Sequence, residues 1–134
     1  MYSLYFDGAS RGNPGDASYG AVLYNSKCEI VDECYGKLTG KSTNNQAEYA
    51  AILNGLKMAK RNNVTQLEIY GDSKLIIEQM CKRWKVKNEG LRLYYDVCED
   101  LVREFENVSF IHVKRNLNTY ADMLANKALD NGIK

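Results

Sequence analysis

Residues 2–9, YSLYFDGA, alternate apolar and polar positions well enough to predict a β-strand. Gly12, Asn13, Pro14 and Gly15 follow at once, so residues 10–16 read as a turn. Residues 17–25 predict a second strand, with Gly20 as a candidate bulge. A hairpin turn at 25–27 leads into a third strand at 28–37. Three strands joined by short turns form an antiparallel meander. After a loop at 38–42, the pattern changes period. Ala47, Ala50, Ala51, Leu53, Leu56, Met58 and Ala59 fall at helical spacing behind an N-cap at Thr43 or Asn44, giving a helix over Asn44–Arg61.

The rest of the chain alternates strands and helices. Residues 66–70 form a short strand ending at Gly71-Asp72, and Ser73 caps a helix over 74–82. Residues 84–90 are irregular and basic. Residues 91–105 are amphipathic, with Leu91, Tyr94, Tyr95, Val97, Cys98, Leu101, Val102 and Phe105 as the predicted inner face. A fifth strand spans 108–113, and residues 116–118 lead into a last helix over Thr119–Asn131. The order β-β-β-α-β-α-α-β-α predicts an α/β fold. It is a mixed five-stranded sheet, antiparallel meander plus parallel strands, with helices on both faces.

Composition sets the frame for this pattern. The 134 residues fit one domain, 1–134, able to bury roughly two-thirds of its unfolded surface. A net charge of +1 means that any basic surface is local, and Lys82, Arg83, Lys85 and Lys87 are the dense cationic run. No stretch resembles a signal peptide or membrane span, so the expected compartment is cytoplasmic. Cys28, Cys34, Cys81 and Cys98 lack metal-type spacing and read as reduced thiols.

The candidate chemistry lies at element ends. Asp7 ends the first strand and Asp72 follows the fourth; in open α/β sheets ligands gather at such ends. Glu48 sits one turn into the first helix and Asp122 near the start of the last. If these four carboxylates converge they repel: two at about 4 Å cost roughly 4 kcal/mol at an effective dielectric near 20. Such a cluster needs protons or a cation to offset it, and an all-oxygen set suits Mg²⁺ or Mn²⁺. Two ions roughly 3.5–4 Å apart can activate a water and stabilise a leaving oxygen in phosphodiester hydrolysis. The bland alternative is scattered surface acids, and periodicity alone does not distinguish the two.

Four segments, DGASRGNPG at 7–15, TNNQAEYAA at 43–51, GDSKLII at 71–77 and ADMLANKAL at 121–129, resemble the type 1 ribonuclease H family in order and spacing. The resemblance covers nearly the whole chain. It implies the ribonuclease H-like fold and hydrolysis of the RNA strand of RNA/DNA hybrids, leaving 5′-phosphate and 3′-hydroxyl ends. It assigns Asp7, Glu48, Asp72 and Asp122 to two metal ions. Asp7 would bridge both; Glu48 and Asp72 would hold the ion near the leaving oxygen, with Glu48 a candidate to order the 2′-hydroxyl. Asp122 would hold the ion carrying the attacking water. A partner beyond the hybrid is not implied, and a monomer is expected.

Substrate contacts are expected at Gly12 and Asn13, whose loop would approach the RNA strand, and at Asn44 and Asn45, whose short side chains suit 2′-hydroxyls in a shallow minor groove. The resemblance places a DNA-phosphate pocket at Lys41 and Thr43, with Asn88 to complete it. Trp84, Lys85 and Lys87 offer stacking plus charge for a DNA backbone. This basic segment is shorter than in many bacterial members. Many members also carry a histidine in the loop before the last acid. Here His112 falls within the fifth strand and reads as structural, while the loop resembles an RxxNxxAD branch through Arg115, Asn118, Ala121 and Asp122. Arg115 and Asn118 are therefore candidates to order water or product, with slower turnover expected. Two rivals remain: a binding module of this fold that does not cut, and a DNA-directed nuclease of the same superfamily.

Overall fold

The computed structural model describes residues 1–131. Five strands form one mixed sheet: β1 (Tyr2–Gly12), β2 (Gly15–Tyr24), β3 (Ile30–Lys37), β4 (Gln66–Gly71) and β5 (Asn107–His112), in the order β3-β2-β1-β4-β5. β1, β2 and β3 are the antiparallel meander, and β4 and β5 run parallel to β1. Four helices connect or follow them: α1 (Asn44–Arg61), α2 (Lys74–Met80), α3 (Glu89–Val102) and α4 (Thr119–Asn131). Among the described residues, no helix is long and apolar enough to cross a membrane.

The central strand shows how the layers arise. Leu4 and Phe6 of β1 point into one fully buried cluster with Leu67 and Ile69 of β4, Tyr49, Ile52 and Leu56 of α1, Ile76 and Ile77 of α2, and Leu91 and Cys98 of α3. Tyr49 of α1 donates to Gln79 Oε1 of α2 at 2.6 Å, which gives two buried polar groups a partner. The opposite sheet face receives α4, which buries Ala121, Leu124, Ala125 and Leu129. Gly20 makes that docking close: a Cβ there would stand 2.6 Å from Ala125 N and 2.7 Å from Ala121 O.

Several boundaries differ from expectation. β1 and β2 pair as far as Gly12↔Gly15, so the predicted turn at 10–16 shrinks to Asn13 and Pro14 at a hairpin tip. Periodicity reports burial, and this exposed ladder has too little of it to announce itself. Gly20 is regularly paired with Asp7 and Tyr35; the register shift lies at Leu23/Tyr24. β3 starts at Ile30, because Asn25 Oδ1 accepts from the Lys27 and Glu29 N–H groups and Cys28 takes φ 62. α2 stops at Met80, before Lys82 at φ 65. α3 ends at Val102, and Val97 is 45% exposed, outside the inner face.

Gly20→Ala should push α4 off the sheet and cost about 1–3 kcal/mol. Urea unfolding checks this; an unchanged midpoint would mean that the α4 contact is not close.

Candidate active site

β1 and β4 are neighbouring parallel strands, with Tyr5 opposite Tyr70. Two residues further along each lie Asp7 and Asp72, so one register sets both acids side by side: Asp72 just past the end of β4, and Asp7 midway along β1 rather than at its expected end, because pairing with β2 carries β1 on to Gly12. α1 begins beside them. Thr43 is its N-cap: the hydroxyl accepts from Gln46 N–H at 3.1 Å and the Gln46 side chain accepts from Thr43 N–H at 2.8 Å. Glu48 then lies on the buried side of the helix. A Cβ on Gly8 would come within 2.5 Å of the Ala47 and Glu48 backbone, so only glycine lets β1 lie this close to α1. From there Gly8 N–H donates to Glu48 Oε1 at 3.0 Å.

One carboxylate oxygen from each of Asp7, Glu48 and Asp72 falls within a mutual 4.8 Å. Asp7 and Glu48 are only 5% and 4% exposed, so water screens little of their repulsion. Asp122, in the first turn of α4, stands outside that trio but in hydrogen-bonding contact with Asp7, and accepts from Asn126 Nδ2 at 3.2 Å. Burial, then the Asp72 charge and the Asp122 contact, push Asp7 up to about 8, while Gly8 N–H pulls the other way. Burial and the Asp7 and Asp72 charges hold Glu48 well above its ordinary value; Gly8 N–H and the Arg115 guanidinium oppose them. Three hard oxygen donors, two of them holding protons more tightly than ordinary carboxyls, form a site that fits a small divalent cation.

Most of the other expected residues fall on the β1–β2 hairpin tip, the starts of α1 and α3, and the segment between α2 and α3. The hairpin tip is tied to the start of α1: Gly15 and Ser42 exchange backbone hydrogen bonds at 3.0 and 2.8 Å, and Asn44 N–H donates to Asn13 Oδ1 at 3.1 Å. Gly12, at φ +103, makes the tip possible. Asn44 is exposed and Asn45 half-buried on the same rim. Lys41 pairs with Asp16 at 3.1 Å on the surface. Asn88 caps α3, accepting from Leu91 N–H at 3.2 Å. A Cβ at Gly90 would lie 3.0 Å from Asn88 Oδ1 and 3.2 Å from Gln46 Nε2, which brings the starts of α1 and α3 together. Trp84, Lys85 and Lys87 line one groove with Lys82, Arg92 and Tyr95. In the cationic run, Lys82 reaches Glu99 at 3.2 Å and Arg83 pairs with Glu78.

Two placements were not legible in the sequence. Asn118 is 1% exposed, so its amide faces the interior, donating to Asp72 Oδ2 and Phe6 O, rather than the surface a substrate would touch. His112, exposed at the end of β5, has Nε2 3.3 Å from the Asp72 backbone carbonyl, a contact of the kind a structural histidine makes. The parallel pairing of Gly71 with His112 could have hinted at that neighbourhood.

A family model described as "Reverse transcriptase-like" matches residues 5–128. The chain is 43% identical over 124 residues to the bifunctional protein Rv2228c of Mycobacterium tuberculosis, covering 92% of this chain and 34% of that protein. It thus spans about a third of that relative's length. It is 30% identical over 145 residues to the ribonuclease H of Ruthia magnifica subsp. Calyptogena magnifica, covering 95% and 94%. Among solved structures, LC11-RNase H1 in complex with RNA/DNA hybrid superposes with a TM-score of 0.95 at 32% identity, covering all of both chains.

The protonated state of Asp7 gives a pH prediction. A carboxyl that binds its proton more tightly when folded stabilises the fold below its ordinary 3.8, and that contribution is lost as pH rises through about 8. Without metal, Asp7→Asn should therefore melt higher than the parent near pH 8, by on the order of 1–3 kcal/mol. The gap should close near pH 4. Thermal melts at both pH values check this; a variant less stable at pH 8 would contradict it.

Proposed function

We propose that this chain, which belongs to the ribonuclease H family, is an endoribonuclease that hydrolyses the RNA strand of RNA/DNA hybrids and leaves 5′-phosphate and 3′-hydroxyl ends. The observation that carries this reading is the trio Asp7, Glu48 and Asp72, with oxygens within 4.8 Å and two of them buried. A fold that served only to grip nucleic acid would have no reason to hold such a repulsive cluster. Asp7, Glu48, Asp72 and Asp122 would hold two Mg²⁺, or Mn²⁺ in their place, which supply a water activated for attack and charge stabilisation at the leaving oxygen.

The chain's own residues do the rest. Gly8 N–H fixes one oxygen of Glu48, leaving the other for ligation or for a 2′-hydroxyl. Arg115 lowers the proton affinity of Glu48, so its charge reaches the site and would meet an anionic phosphate there. Asn44 and Asn45, with the Gly12-Asn13 tip pinned against them, would read 2′-hydroxyls across a wide minor groove. Lys41, Thr43 and Asn88 would take a DNA-strand phosphate where α1 and α3 start together. Thr43 then serves through an oxygen already committed to its cap. Trp84, Lys85 and Lys87 would follow the DNA backbone by stacking and charge. The named complex of LC11-RNase H1 with an RNA/DNA hybrid supports this substrate class. The working form we propose is a cytoplasmic monomer that needs no protein partner.

An end-labelled RNA/DNA hybrid should be cut internally in its RNA strand with Mg²⁺ and left intact with EDTA. Asp7→Asn should lower the rate by roughly a thousandfold, equivalent to about 4 kcal/mol of barrier. Equal cutting of all-DNA duplex would favour the DNA-directed rival, and tight binding without cutting the non-cleaving one. Lys85→Ala and Lys87→Ala should each weaken hybrid binding regardless of sequence and lower the log–log salt slope by about 1. An unchanged slope in a binding titration would remove that lysine from the interface.

A further inference from the structure

We infer that Asn118 is the positioning residue of the metal site, resting on the reading of that site given above. It sits between a short 3-10 turn (Arg115–Leu117) and α4 and is 1% exposed. Its single NH₂ group makes two long-range hydrogen bonds: to Phe6 O at 2.9 Å and to Asp72 Oδ2 at 3.0 Å. Phe6 O belongs to the peptide that leads into Asp7. The Asn118 carbonyl also accepts from Asp122 N–H at 3.2 Å. One residue therefore touches the stretch of β1 carrying Asp7, the carboxylate of Asp72 and the helix turn carrying Asp122.

The chemistry of the donor is as telling as its place. Both partners are oxygens that only accept, so the amide has one workable orientation, with nitrogen toward them. Asp at this position would aim a carboxylate at two oxygens. Lys or Arg would supply donors but also a charge, cancelling the negative potential that draws a cation. A neutral planar NH₂ orients Asp72 without neutralising it. The other half of the amide makes no contribution to the fold: Asn118 Oδ1 is buried with no hydrogen-bond partner among the described residues. An unsatisfied buried acceptor carries a free-energy cost, and the donor half is the reason to bear it. Hydrogen bonds of this kind, behind a metal ligand, change metal affinity typically 10–100-fold when removed.

The test is calorimetric titration of Mn²⁺ into the metal-free, full-length protein, alongside steady-state cleavage of an RNA/DNA hybrid. Asn118→Ala should still melt cooperatively but bind Mn²⁺ about 10–100-fold more weakly. It should lower kcat with little change in KM, since the hybrid does not touch it. The near-isosteric and uncharged Asn118→Leu should bind Mn²⁺ as poorly as Asn118→Ala, separating the lost donor from lost packing. If Asn118→Ala does not fold, Asn118→Ser, which keeps one donor, takes its place and should fall between parent and Asn118→Leu. A folded variant with parental Mn²⁺ affinity would overturn the inference, as would a lower melting temperature as the sole change. Failure of the parent to cut the hybrid would refute the endoribonuclease reading instead, and the affinity comparison would still decide the role of Asn118.

Discussion

Mutual repulsion among buried carboxylates is the constraint to which this structure answers. Asp7, Glu48 and Asp72 arrive from a central strand, a helix and a neighbouring parallel strand, and little water reaches the first two. Nothing in hydrophobic packing asks for that arrangement. It persists because rigid elements impose it: the β1–β4 register fixes two acids, and the Gly8 approach to α1 fixes the third. The Gly8 N–H, the Arg115 guanidinium and the Asn118 amide offset part of the repulsion, and they leave Asp7 and Glu48 holding protons too tightly for ordinary acids. The cluster is thus built for a cation, with the surrounding fold supplying the stability that the site itself consumes.

Much of this was legible because strand ends and helix starts are marked in sequence. Asp7 follows an alternating run, Asp72 follows a short apolar run and a glycine, and Thr43 with Gln46 spells a capping box before Glu48. Those signals mark the element order and the places of Glu48, Asp72 and Asp122 along their elements; Asp7 instead lies midway along β1, because the exposed ladder to Gly12 carries no burial period. What they omit is contact between distant segments. No period or turn signal says that Asn118 reaches Asp72, that Asn13 holds the start of α1, or that Gly90 brings Asn88 beside Gln46. Gly20 is the instructive case. A glycine within a strand suggests a bulge, yet here it admits a helix on the other side of the sheet.

The two halves of the candidate interface also differ in how they are held. The side proposed to meet the minor groove, from Gly12 to Asn45, is locked by backbone hydrogen bonds between Gly15 and Ser42 and by the Asn13–Asn44 contact. The basic side around Trp84 hangs on a segment without regular structure, between Lys82 at positive φ and the Asn88 cap. Preorganisation on the first side suits the proposed discrimination of RNA sugars, and an irregular charged track on the second suits grip without sequence preference.

Protons occupy this cluster until a divalent cation replaces them. Mg²⁺ titration calorimetry near neutral pH, repeated in buffers of different ionisation enthalpy, measures that exchange directly. The account predicts net proton release on binding, falling away as pH rises past about 8, where Asp7 gives up its proton unaided. Binding with no proton release at neutral pH, or no binding at all, would contradict it.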